Sequence, residues 1–434
     1  MLFTFIIPIY NSLLITPSIL KRASCFIEKL DCEVLFVDDC SNDGTYEFLS
    51  TNIKNEKNIK LCKTSVNSGP GNARNIGISL ALGKYIIFID SDDILEFVDN
   101  INIGPELLIL RDHEAIDVIC IKSINENRPN DDKLIITELN NTIEAFNLRS
   151  NVNYKNFPSS ECWGFIFSSS FLKLNKIAFP EIRIAEDQVF MIKVRLKLKS
   201  LASTTIFNYI HTANSYGLSM QFNKHGMLVY MNIVQMIMDL INLESESNLD
   251  FLIIKLHDVL HIFFCYLMAF CEDISIKEIE NIFDVLNHNN ADLKINKIAS
   301  FINFQEFISY RQLILSFIKI KANSLNLYCL SNLSMSVACM SERLNIPVIT
   351  IIDDNRVKMN ELESVKFGAQ LRNSTAHIQE NDTILICHSD KNVVRKIFLG
   401  LKNASCINLS NIFAFFNFIN GPIGIKYSLN ERLR

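Results

Sequence analysis

Gly83-Lys84-Tyr85-Ile86-Ile87-Phe88-Ile89-Asp90-Ser91-Asp92-Asp93 decides the fold: five apolar residues in a row, entered from a glycine and left through three acidic side chains. A short run with no polar side to show to water reads as a strand covered on both faces, the habit of parallel sheets. Toward the N-terminus the same texture recurs. Residues 3–8, 34–37 and 59–63 are apolar strands, and residues 18–30, 46–53 and 74–82 read as the helices between them. Ser41-Asn42-Asp43-Gly44-Thr45 supplies turn and N-cap chemistry ahead of the second helix. This alternation predicts an α/β fold with a mostly parallel sheet, in which ligands bind beyond the carboxyl ends of the strands. Three strands deliver polar groups there, at Pro8-Ile9-Tyr10, Asp38-Asp39 and Asp90-Ser91-Asp92-Asp93.

Toward the C-terminus the texture changes twice. Residues 100–160 are less regular, with a polar loop at 124–133, and order resumes at Cys162-Trp163-Gly164, which carries the single tryptophan. Residues 228–318 contain no glycine and show helical apolar periodicity. Apolar strands return at 325–330, 348–352 and 383–387. The expected organisation is an α/β catalytic domain over 1–225, a helical region over 226–322 and a small α/β domain over 323–434.

Composition narrows the partners. Hydrophobic residues make up 49% of the 434 residues and charged residues 21%, with a formal net charge of −5. No basic tract dominates, so the reading is no nucleic acid, because phosphate backbones need clustered Lys and Arg. Twelve scattered cysteines without a Cys-x-x-Cys pair suit a reducing, cytoplasmic compartment. The apolar start lacks the basic and cleavage regions of a signal peptide and reads as the first strand. Residues 251–270 are apolar enough to raise the question of a membrane, but Lys255, His257, Asp258 and His261 interrupt them, which favours a buried helix of a soluble domain. That segment and the aromatic run 412–419 leave a peripheral membrane contact, at the inner face of the cell membrane, as an open reading.

The acidic strand ends pose an electrostatic problem. A nucleoside diphosphate would be repelled by carboxylates alone, and a hard divalent cation, Mg²⁺ or Mn²⁺, resolves it by taking carboxylate and phosphate oxygens together. Asp90 and Asp92, two apart on an extended segment, would face one site; the competing reading makes Asp92-Asp93 the cap of a following helix.

Four motifs in order carry more weight: Phe5-Ile6-Ile7-Pro8-Ile9-Tyr10-Asn11, Val37-Asp38-Asp39-Cys40-Ser41-Asn42-Asp43-Gly44-Thr45, Gly71-Asn72-Ala73-Arg74-Asn75-Ile76-Gly77, and the stretch quoted at the outset. Over residues 1–220 the series resembles the family 2 inverting glycosyltransferases of GT-A fold that build bacterial surface polysaccharides. The resemblance implies a nucleotide-sugar donor, UDP-linked, and a glycan or lipid-linked acceptor. It implies that Pro8 and Tyr10 line the base pocket, that Asp39 accepts a hydrogen bond from the base, and that Arg74 lies near the diphosphate or sugar. Asp90 and the adjoining Ser91 would face the ribose or sugar, and Asp92 would bind the metal. Ala185-Glu186-Asp187-Gln188 resembles the family's Glu-Asp motif, whose Asp187 would be the general base. Tyr209-Ile210-His211 and Asn214-Ser215 resemble a further family segment, with His211 a metal or diphosphate contact.

Three other signals carry less. His257 and His261 have the spacing of a zinc helix but no third ligand. Lys193, Arg195, Lys197 and Lys199 read by default as a solvated helix face, with a lipid-linked phosphate as the rival partner. The C-terminal α/β unit resembles Rossmann-like accessory domains, yet Cys329-Leu330-Ser331-Asn332-Leu333-Ser334 has no glycine for close pyrophosphate approach; a role in self-association or assembly follows. A non-catalytic sugar-nucleotide-binding protein is the alternative to the enzyme. A nucleotidyltransferase would want a glycine- and basic-rich loop after the first strand, which residues 8–14 lack.

Overall fold

A computed structural model describes residues 1–54, 56–97, 104–112, 115–125, 161–212, 222–275, 277, 279–280, 307, 311–312, 315, 325–328, 332–352, 370–372, 384–387 and 412–415. The chain divides into two compact units, Met1–Asn214 and Ser215–Arg434. The polar loop from residue 126 onward, the Asn214-Ser215 segment and the turn at 329–331 lie outside the described residues.

In the first unit, β1 (Phe3–Ile9), α1 (Thr16–Lys29), β2 (Cys32–Asp38), α2 (Thr45–Asn52), β3 (Ile59–Lys63), α3 (Pro70–Leu80) and β4 (Tyr85–Phe88) alternate as expected. Then come β5 (Ile94–Phe97), α4 (Gly104–Asp112), β6 (Val118–Asn125), β7 (Phe165–Ser168), α5 (Ser169–Leu174), α6 (Glu186–Lys197) and β8 (Leu201–His211). One eight-stranded sheet results, in the order β3-β2-β1-β4-β7-β6-β8-β5. The β3-β2-β1-β4 half is parallel, and β7 turns the sheet antiparallel against β4 and β6.

The apolar runs explain the layering. Side chains alternate faces along a strand, so Phe3, Phe5 and Ile7 join one core with Phe26 of α1, while Ile6 joins the other with Ile78 of α3 and Phe190 of α6. In that second core Phe179 and Phe190 stack at 3.9 Å, with Phe88 edge-on to both. Helix α3 lies close to the sheet because position 77 is glycine: a Cβ there would sit 2.4 Å from Ile6 Cγ2. The α3 start falls four residues before the sequence expectation of 74, since Pro70 occupies the first turn, where its missing N–H costs nothing.

The second unit opens with a helical pair, α7 (Lys224–Leu243) and α8 (Glu246–Phe270). Both are long and apolar enough to cross a membrane by length and composition, and 50% and 56% of their apolar windows are buried within the protein. Gly226 lets α7 approach α8, where a Cβ would meet the Tyr266 ring at 2.6 Å. Strands β9 (Leu325–Tyr328), β10 (Val348–Ile352), β11 (Gln370–Arg372), β12 (Ile384–Cys387) and β13 (Ile412–Phe415) form an all-parallel sheet in the order β11-β10-β9-β12-β13, the Rossmann-like winding. Helix α9 (Asn332–Arg343) is fixed to α8 by the Ser336 hydroxyl, which donates to the Cys265 carbonyl at 2.6 Å, and to the turn just after α8 by Arg343 on Asp273. The first four residues of the aromatic run at 412–419 are thus a sheet strand.

Candidate active site

The β1–α1 and β2–α2 loops are stitched together at the carboxyl edge of the sheet. Backbone amides of Asn11, Ser12 and Leu13 donate to Ser41 Oγ, Thr45 Oγ1 and Asp43 Oδ2, and the Asn42 amide donates to Asn11 Oδ1. Gly44, at φ 93°, makes the left-handed turn that starts α2. The Ser41–Thr45 motif therefore clamps the loop that carries Tyr10, which is 46% exposed, while Pro8 is buried in β1.

Asp39 is 3% exposed and its carboxylate is fully engaged by the next loop. Oδ2 accepts from the Gly69 amide at 2.6 Å, and Oδ1 accepts from the Ser68 amide and lies 3.0 Å from the Thr64 hydroxyl.

Arg74 joins three segments far apart in sequence. Its Nη1 donates to Glu186 Oε1 and its Nη2 to Asp90 Oδ1, both at 2.6 Å, and the guanidinium lies 5.3 Å from the Phe179 ring. Gly71 makes room for this: a Cβ there would stand 2.8 Å from Glu186 Cγ. Asn75 holds the neighbouring segment by a reciprocal pair of bonds to the Phe179 backbone, at 2.9 and 3.0 Å. The Gly71–Gly77 motif is thus the seam between α3 and the chain leading into α6. Arg74 stands in the site wall with two carboxylates of its own, Asp90 among them.

The acidic turn differs from the extended geometry expected from sequence. The Asp93 amide donates to the Asp90 carbonyl, closing a turn, and a strand follows rather than a helix. Asp90 is drawn to Arg74. Asp93 is fully buried and accepts from the Tyr209 hydroxyl at 2.8 Å and the Thr212 amide at 2.8 Å, with His211 Nδ1 at 3.0 Å. Asp92 and Ser91 are half-buried at the turn, and the Asp92 carbonyl takes the Thr212 hydroxyl. Trp163 stacks on Tyr209 at 5.3 Å and on His211 at 4.8 Å. The hydrogen bond to Asp93 holds the His211 imidazole above its ordinary pKa, outweighing burial.

Asp187 opens α6. The residue before it in the chain, Glu186, is buried against Arg74, and Ala185 takes a left-handed φ of 57° to turn the chain into the helix. Asp187 is half-buried, and its carboxyl is pushed well above the usual range, first by desolvation and then by the adjacent Glu186. Of the basic row after it, Arg195 is buried, so the row is not one solvated face.

The structure brings together Arg74, Asp90, Glu186 and Asp187 on one side and Asp92, Asp93, Tyr209 and His211 on the other, with Asp90 common to both through its amide on the Tyr209 hydroxyl at 3.2 Å. Sequence reading gave no role to Tyr209, Trp163 or Asn75, and gave Asp93 only that of a cap for a following helix. Each acts through partners dozens of residues away, and motif context marked the neighbourhoods of Asn75, Asp93 and Tyr209 without assigning those partners.

Residues 4–170 match the family model for Glycosyl transferase family 2. Among curated proteins, the chain is 31% identical over 221 residues to a poly(ribitol-phosphate) beta-glucosyltransferase of Bacillus spizizenii, covering 49% of this chain and 32% of that one. It is 30% identical over 220 residues to the poly(ribitol-phosphate) beta-N-acetylglucosaminyltransferase TarS of Staphylococcus aureus, covering 50% of this chain and 36% of that one. The chain thus spans about a third of the length of these relatives. Residues 1–349 of S. aureus TarS in complex with UDP-GlcNAc superpose with a TM-score of 0.45 at 21% identity, covering 80% of this chain and 93% of that one. At that level the fold rests on the strand order itself. The family model begins in β1 and ends in α5, so the stretch that matches glycosyl transferase family 2 takes in all four motifs of the sheet edge.

Proposed function

We propose that this chain is a metal-dependent, inverting glycosyltransferase of the cytoplasm that moves a hexosyl or N-acetylhexosaminyl group from a UDP-sugar to a hydroxyl of a bacterial surface glycan or lipid-linked acceptor. A polyol-phosphate chain, of the kind its relatives are named for, is the first acceptor to test. The observation that carries the reading is Asp187: a half-buried carboxylate at a helix start, with its neighbour Glu186 held by an ion pair to Arg74. A base needs a raised pKa and reach to a hydroxyl, and burial beside a second carboxyl supplies the first. Asp187 takes the acceptor O–H proton as the acceptor oxygen bonds to the sugar's anomeric carbon, and the bond from that carbon to the UDP oxygen breaks on the opposite face.

The donor set suits a cation that arrives with the diphosphate. Among the described residues no three of His, Cys, Asp and Glu converge as a ready-made metal group. Asp90 is paired with Arg74, and Asp93 is bonded to Tyr209, His211 and Thr212. Mg²⁺ commonly takes one or two carboxylates and completes its shell with phosphate oxygens and water. Asp92 would hold it, and it would neutralise charge on the departing diphosphate. His211, whose charged form the hydrogen bond to Asp93 favours, is better suited to a diphosphate oxygen than to the metal. Tyr10 and Pro8 would flank the base.

Nucleotide release tests the reading. The protein with Mn²⁺ and a panel of UDP-sugars should release UDP in the presence of a polyol-phosphate or glycan acceptor. UDP binding without turnover on any donor would favour the sugar-nucleotide-binding alternative.

A further inference from the structure

We propose that Arg183 is a positioning residue that ties the loop closing over Asp39 to the turn presenting Asp187. The inference rests on the function proposed above, with Asp39 on the donor side and Asp187 as acceptor base. Three observations carry it. The loop at 67–69 is held from below by Asp39, through the Ser68 and Gly69 amides. From above it is held by Arg183, whose Nη2 donates to the Asn67 carbonyl at 2.7 Å and also reaches Asn67 Oδ1. Gly69, at φ 92°, brings the two backbones into contact, since a Cβ on it would stand 3.3 Å from Arg183 Cα.

The other end of the tie is a strained turn. Ile182 and Ile184 are buried on either side of the exposed Arg183, anchoring the segment in the core. Ala185 then adopts φ 57°, unusual for a residue with a Cβ, immediately before Glu186-Asp187. Such a conformation persists only where its surroundings over-determine it. The Asn67–Arg183 bonds, the Arg74–Glu186 ion pair and the close Gly71–Glu186 approach restrain it from the α3 side. An exposed arginine bound to a loop carbonyl adds little to global stability, so its removal leaves the fold intact while freeing the turn. Donor pocket and acceptor base are thereby set by one continuous run of contacts: Asp39, the 67–69 loop, Arg183, Ala185, Asp187.

The test uses the full chain with Arg183→Ala, Arg183→Lys and Gly69→Ala. Measurements are UDP affinity by calorimetry, acceptor kcat and KM, thermal melting, and hydrogen exchange by mass spectrometry over 64–70 and 182–188. Arg183→Ala should lower kcat about tenfold, as a small misplacement of a reacting group does, with UDP affinity within about twofold and Tm nearly unchanged. Exchange should quicken in both segments and not in β1 or β2. Arg183→Lys should recover part of kcat, and Gly69→Ala should loosen 182–188 from the opposite side. Unchanged exchange at 182–188, normal kcat in Arg183→Ala, or a kcat loss that tracks Tm overturns the proposal. A wild type that turns over no UDP-sugar overturns the functional reading instead; the exchange data then judge the tie alone, upheld by parallel loosening and ended by an unmoved 182–188 segment.

Discussion

Two pairs of adjacent acidic residues, Asp92-Asp93 and Glu186-Asp187, look alike in sequence and divide their labour in the same way. In each, one member is buried and bound to the protein's own donors: Asp93 to Tyr209, His211 and Thr212, Glu186 to Arg74. The other member, Asp92 or Asp187, is half-buried at the carboxyl edge of the sheet. The order differs, with the anchor second in the turn and first in the helix. On the function proposed above, each of these doublets is one structural anchor and one working carboxylate.

The largest expected effect falls on a working member. Asp187→Asn should cut transfer by about 10²–10⁴-fold, the usual worth of a general base, with UDP affinity and Tm near wild type. Near-normal transfer there, paired with a large loss in a folded Glu186→Gln, would reverse the assignment. The raised carboxyl gives a second check: transfer by wild type should fall with decreasing pH above the ordinary carboxylate range, because the base works only when ionised.

An anchor should instead report in stability. Glu186→Gln leaves the buried Arg74 with Asp90 alone; losing one member of a buried ionic set costs about 3 kcal/mol or more, seen as a fall in Tm. Asp93→Asn weakens charge-assisted bonds worth about 1–3 kcal/mol, whereas Asp92→Asn should leave Tm alone and weaken UDP binding in Mn²⁺. If Asp92→Asn and Asp93→Asn melt alike and bind alike, the division of labour fails.

The smallest effect concerns a carboxylate with no part in the site. Burial acts to raise Glu33, but the bonds from Lys60, the Leu82 amide and Thr4 outweigh it and hold it below its usual value. With a depressed folded-state pKa, its contribution is present above the unfolded value and is lost as pH falls through the folded one. Glu33→Gln should therefore lower Tm at neutral pH and flatten the acid limb of the stability profile.

Strands β1, β2 and β4 were legible because their runs are largely apolar; β3, Ile59-Lys60-Leu61-Cys62-Lys63, falls on the expected residues although it carries two lysines. The start of α3 was missed because Pro70 reads as a break when it is in fact the first turn. Arg74, Asp90, Asp92 and Asp187 could be picked out from motif spacing. Their partnerships could not, since Arg74 meets Glu186 across 112 residues and Tyr209 meets Asp93 across 116. The extended reading of Asp90 and Asp92 failed on a single turn bond, from the Asp93 amide to the Asp90 carbonyl. Burial of Arg195 was equally invisible, because alternating charge looks the same whether a helix end faces solvent or the core.

Trp163 is the chain's single tryptophan, and its indole lies flat on His211, one residue before Thr212, which binds both Asp92 and Asp93. All of the tryptophan emission therefore originates against the ring expected to meet the diphosphate, and protonated imidazole is an efficient quencher. Donor and cation titrations can be followed by unlabelled fluorescence, with no background from a second indole, and Trp163→Phe supplies the blank.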